Sequence, residues 1–160
     1  MKNNIKIIII LLFLFMLSSC GFKPILQKDS DLVYINDVKV VGEPKIAYSL
    51  KNRILLISSD NSINKYDVEI QITKTKNNKI KNQEGKVVRY GMTISADLKL
   101  INLDNGKIIN KVFIEKNDYN VGNNHSDTIN NEKNSIKNIV QRLTENIINF
   151  IKLIMRNLWY

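Results

Sequence analysis

The chain has 160 residues, 44% of them hydrophobic, and 24 Lys and Arg against 15 Asp and Glu leave a net charge of +9. That length holds one domain with a real core and hardly two, and the single cysteine, Cys20, excludes a disulfide within the chain. The basic balance suits anionic partners such as phospholipid head groups or lipopolysaccharide phosphates, although richness in Lys, Asn and Ile beside four Arg is equally the mark of an AT-rich genome.

The N-terminus carries the clearest local signal. Lys2 and Lys6 precede ten apolar residues, Ile7 to Met16, and Leu17-Ser18-Ser19-Cys20 follows. A positive start, a short apolar core and small residues at a cleavage point form an export signal. The apolar run falls short of the roughly 20 residues that span a bilayer as a helix. Residues 1–19 therefore read as a lipoprotein signal peptide, 20–31 as a lipidated tether and 32–160 as one α+β domain. The Cys20 thiol is the expected acylation site, and two or more acyl chains, at about 0.8 kcal/mol per buried methylene, make anchoring stable. Gly21 in place of Asp points to outer-membrane sorting in a Gram-negative cell. Without Lys2 and Lys6 the charge is +7, and export removes nucleic acid from the expected partners.

Leu32 to Val41 is β-rich with a change of parity: Val33 and Ile35 share one face, Val38 and Val40 the other, which predicts a bulge near Asn36-Asp37. Gly42-Glu43-Pro44 ends that strand, and Pro44 suits the first turn of a helix whose stripe is Ala47, Leu50, Ile54 and Ile57. From Lys65 the period drops to two, with Tyr66, Val68, Ile70 and Ile72 on one face. Lys74 to Glu84 has no pattern and reads as a mobile connection carrying frayed strand ends. Val88, Tyr90, Met92, Ile94, Ala96, Leu98 and Leu100 then alternate with polar or small residues, predicting a long strand of roughly 45 Å. Asp104-Asn105-Gly106 predicts a turn and Ile108 to Tyr119 a hairpin partner; Val112, Phe113 and Ile114 are all apolar, so its buried face stays open. Asn120 to Asn131 reads as a polar loop. Asn134 or Ser135 is the expected cap of a last helix with stripe Ile136, Val140, Leu143, Ile147, Phe150, Ile151, Ile154 and Leu158, widened by Ile139, Ile148 and Met155. The expected architecture is a two-layer sandwich in the order β-α-β-β-β-α, a four-stranded, mostly antiparallel sheet covered by two helices.

Catalytic chemistry is missing from this pattern. His125 sits in a Gly/Asn-rich stretch without neighbours at metal-ligand spacing, and no nucleophile elbow, phosphate loop or HExxH motif occurs. The expectation is a protein that is not an enzyme and takes no metal or cofactor. Lys74, Lys76, Lys79, Lys81, Lys86 and Arg89 cluster where a hairpin would bring them to one tip, where they can hold phosphates, Arg89 by forked hydrogen bonds. A solvated lysine-rich loop is the alternative. The apolar end of the last helix, with Phe150, Ile154 and Trp159, is a candidate partner interface.

Cys20-Gly21-Phe22-Lys23-Pro24 resembles the Cys-Gly-Phe-x-Pro start of alphaproteobacterial LPS-assembly lipoproteins, the LptE family. The resemblance continues through Tyr66-Asp67-Val68, Arg89-Tyr90, Ala96-Asp97-Leu98-Lys99-Leu100, Asp104-Asn105-Gly106-Lys107 and Tyr119-Asn120, over nearly the whole mature chain. It implies a non-enzymatic outer-membrane lipoprotein, its domain facing the periplasm or a barrel lumen, which assists the β-barrel LptD in assembly and in lipopolysaccharide transport to the outer leaflet. Lys81, Lys86 and Arg89 become candidate lipopolysaccharide contacts, though the lysine-rich stretch before Gly85 departs from the family pattern. A lipid-anchored accessory of a phospholipid transport system, or another non-catalytic envelope lipoprotein, is the competing expectation.

Overall fold

A computed structural model describes residues 33–59 and 65–157. The expected signal peptide, Cys20, the tether and Trp159 lie outside those residues. The elements are β1 (Tyr34–Val41), α1 (Pro44–Leu55), β2 (Lys65–Lys81), β3 (Val87–Asn102), β4 (Ile108–Asn120) and α2 (His125–Asn157). They form one four-stranded sheet in the spatial order β1-β2-β3-β4. β1 runs parallel to β2, the crossover being α1, and the other neighbours are antiparallel. The α+β sandwich in the order β-α-β-β-β-α is thus the observed fold.

Period-two segments bury one face. Tyr66, Val68, Ile70 and Ile72 of β2 and Met92, Ile94, Ala96, Leu98 and Leu100 of β3 form the sheet's half of the core. The register of β1 slips between Ile35 and Asp37, and this bulge is how Ile35 and Val38, of opposite parity, are both buried. Asn36 and Asp37 are held there: Asn36 Nδ2 donates to Asp67 Oδ1 at 2.8 Å, and Asp37 Oδ1 accepts from the Val38 amide at 2.8 Å. α1 begins with Pro44 in its first turn and buries Ile46, Leu50 and Ile54. Ile46 replaces the expected Ala47 as the buried member, Ala47 being only partly covered.

α2 has 33 residues, roughly 50 Å of helix at 1.5 Å per residue. Its fully buried line runs through Ile139, Leu143, Ile147, Ile151 and Met155, whereas Ile136, Phe150 and Ile154 are half-buried against the core. The centre of the apolar face is therefore offset from the expected stripe. β4 turns Ile109, Phe113 and Tyr119 toward the helices and leaves Val112 and Ile114 on the opposite, uncovered face. Phe113 meets Phe150 edge to face at 5.6 Å between ring centres, a geometry that favours the positive ring edge over the negative face.

Two expectations need correction. Lys74 to Glu84 is not a loose connection: β2 continues through Lys81, paired with β3 as far as Val87. The alternation vanished from the sequence because the inward positions there are Lys74 and Lys76, whose partners are carboxylates of other elements, Glu43 and Glu132. A short turn closes the hairpin, with Asn82 Oδ1 accepting from the amides of Glu84 and Lys86 at 3.1 and 2.9 Å.

The second correction concerns Asn120 to Asn131. α2 starts at His125, nine residues before the expected cap at Asn134. Asn124 Oδ1 accepts from the Asp127 amide at 2.8 Å, capping an otherwise unpaired helical donor, and Asp127 in the first turn complements the helix dipole. Thr128 Oγ1 donates to the Asn124 carbonyl and accepts from the Gly122 amide. These early turns face solvent over most of their surface, so no apolar stripe announced them.

Candidate functional site

At the β2–β3 tip the hairpin brings the predicted basic residues together and supplies most of them with partners. Lys86 pairs with Glu84 at 3.0 Å and Lys79 with Asp118 at 2.7 Å. Arg89 Nε donates to Asn120 Oδ1 at 2.8 Å. Lys81 is the last residue of β2 and exposed. Arg89 stands opposite Ile80, and Lys81 opposite Val87. Lys81, Lys86 and Arg89 therefore share the solvent-exposed end of the sheet, as a candidate phosphate surface requires. Exposed ion pairs contribute about 0–1 kcal/mol each, so an incoming anion can displace them at small cost.

Below the tip lies a cluster that had no linear signature. Lys76 Nζ meets Glu132 Oε2 at 2.7 Å and stands 4.2 Å from the Tyr90 ring centre and 5.3 Å from that of Tyr119. The Tyr119 hydroxyl donates to the same Glu132 oxygen at 2.7 Å. Four elements thereby converge on one ion pair. The hydrogen bond from Lys76, then that from Tyr119, hold the Glu132 carboxyl below its ordinary range. Burial raises the Tyr119 phenol, and Lys76 is raised because its bonds to Glu132 and Tyr119 outweigh burial, which works the other way.

The sign for Glu132 follows from linkage. A carboxyl with a depressed folded pKa binds fewer protons folded than unfolded, so its contribution is full above the unfolded value of about 4.3 and is lost as pH falls through the folded value. Glu132→Gln is expected to lower stability by about 1–2 kcal/mol at pH 6, the scale of a charged hydrogen bond reduced for partial exposure. Urea titrations at pH 6 and pH 3 check this: the gap to wild type narrows at the lower pH, and an equal gap at both values would contradict the assignment.

Elsewhere, Arg142 on α2 reaches Glu115 at 3.0 Å and the Lys116 carbonyl at 2.9 Å, fastening the helix to edge strand β4. On the sheet face without helices, Ile108, Val112 and Ile114 of that strand are 50%, 56% and 58% exposed. Of the predicted interface residues, Phe150 and Ile154 serve partly in the chain's own core, while Leu153 beside them is exposed. His125 begins α2 and is exposed. Among the described residues no three His, Cys, Asp or Glu side chains converge as metal ligands, and no helix is long and apolar enough to cross a membrane.

Similar arrangements occur in known structures. The crystal structure of rare lipoprotein B from Shewanella oneidensis matches with a TM-score of 0.62 at 10% identity, over 78% of this chain and 100% of that one. The chain shares the fold of that protein. The solution structure of lipoprotein B from Nitrosomonas europaea matches at 0.55 with 13% identity, over 85% and 93% of the two chains. A candidate lipoprotein from Caulobacter crescentus matches at 0.54 with 13% identity, over 80% and 95%. By sequence, neither a protein-family model nor a curated protein matches.

Proposed function

We propose that this chain is an outer-membrane lipoprotein, acylated at Cys20, that assists the barrel LptD in assembly and in moving lipopolysaccharide to the outer leaflet. The observation carrying this reading is a juxtaposition. A domain whose fold spans the whole of rare lipoprotein B lies downstream of the sequence Leu17-Ser18-Ser19-Cys20. The apolar line Ile108, Val112, Ile114 on the helix-free face supports a partner that supplies a wall, because covering exposed branched aliphatics stabilises by about 25 cal/mol per Å² of apolar area removed from water. Lys81, Lys86 and Arg89 are the lipopolysaccharide contacts in this reading, and the lipid anchor raises the effective concentration of the barrel.

Affinity purification from envelopes tests it. Tagged wild-type chain is expected to retain palmitate label and to bring down an outer-membrane barrel with lipopolysaccharide. Cys20→Ala should abolish the label and leave an unprocessed precursor. Lys81→Glu/Lys86→Glu/Arg89→Glu should keep the barrel and lose most of the lipopolysaccharide. Recovery of inner-membrane transporter subunits in place of a barrel would favour the phospholipid-transport alternative and end this reading.

A further inference from the structure

Unlike Lys79 and Lys86 at the tip, four cations on the helices have no ion-pair partner among the described residues. Lys45 and Arg53 lie eight residues apart on α1, hence on one side of it, and Lys133 and Lys137 lie four apart on α2. The two pairs line opposite walls of a groove between the helices, about 470 Å³ in volume. Its floor is aliphatic, made of Ile46, Ile136 and Val140. The one carboxylate on the rim, Glu43, is already engaged by Lys74. Four cations thus surround an apolar trough whose only acid among the described residues is already paired.

We infer that this groove binds one anionic single-chain phospholipid, its acyl chain on the Ile46–Ile136–Val140 floor and its phosphate between the lysines of α2 and the basic residues of α1. Charge complementarity sets the sign of the ligand, and the floor sets its amphiphilic character. A groove of 300–1,000 Å³ with an apolar lining and a few placed polar groups is ordinary for a small ligand. The protein's own acyl chains explain the floor but leave the cations without a counter-charge. This site lies on the helix layer, away from the hairpin tip, and does not depend on the barrel.

Native mass spectrometry of the full acylated chain in non-ionic detergent tests the inference, with lysophosphatidylglycerol as the probe and lysophosphatidylcholine, inorganic phosphate and an acidic helical peptide as comparators. One lysophosphatidylglycerol per chain is expected, bound at least ten-fold more tightly than lysophosphatidylcholine. Lys133→Glu/Lys137→Glu and Ser49→Trp, which fills the groove from α1, should each weaken it ten-fold or more. Lys81→Glu/Lys86→Glu makes the same change in net charge at the tip and should leave it within two-fold. Lys133→Gln/Lys137→Gln, accepted once its melting curve matches wild type, should reproduce the loss without reversed charge. Equal losses from tip and groove variants would overturn the site in favour of general electrostatics. Undiminished binding in Ser49→Trp, displacement by inorganic phosphate alone, or tighter binding of the peptide would each overturn it as well.

Discussion

Gly42→Ala lowers the unfolding free energy by about 3 kcal/mol or more, because two penalties coincide at that residue. Its φ is +134°, where side chains are strained, and an added Cβ would stand 2.6 Å from the Ile72 carbonyl oxygen and 2.8 Å from the Ile72 Cβ. Neither obstacle is the free end of a flexible side chain. Ile72 is a core residue of β2, so the clash moves either the sheet or the link from β1 into α1. Gly85→Ala is the matched control: its φ is +79° but nothing lies within 4 Å of the added Cβ, leaving only the left-handed penalty of about 1–2 kcal/mol. Urea midpoints at unchanged slope measure both. A Gly42→Ala loss no larger than that of Gly85→Ala would mean that the chain reroutes freely after β1.

The second large effect is expected on α2. Leu143 is fully buried in the core, and Leu153, ten residues further along the same helix, is 54% exposed. Leu143→Ala removes buried methylene groups and leaves a cavity, a loss of about 3–5 kcal/mol where the surroundings cannot collapse. Leu153→Ala removes little buried surface and should stay within about 0.5 kcal/mol. Because both changes convert the same residue in the same helix, propensity cancels and the difference reports packing alone. Thermal unfolding of the two variants side by side reads that difference, and a gap below about 1 kcal/mol would place α2 loosely on its sheet.

How much of this was legible beforehand depended on how local the cause was. The alternation Tyr66, Val68, Ile70, Ile72 and the run Met92 to Leu100 announced buried strand faces because side chains in a strand alternate between two environments. The parity change around Asn36 announced the bulge for the same reason. Val88 and Tyr90 continued the alternation without being fully buried; Val88 is 38% exposed, since the hairpin extends past the core there. The first turns of α2 escaped notice because they face solvent and carry no apolar stripe, and the outer half of β2 escaped for a different cause. Its inward Lys76 takes its partner Glu132 from 56 residues away, so that segment looked patternless while the partner was out of view.

The amino-acid sequence by itself determined the element order and the buried strand faces, which depend on neighbours within one or two turns or on strict alternation. Only the tertiary structure decided which lysines are neutralised and which are left facing an open groove. A charge's partner is set by distance in space, and Lys45 and Lys137, nearly a hundred residues apart in the chain, line the same groove only because α1 and α2 pack side by side on one sheet face.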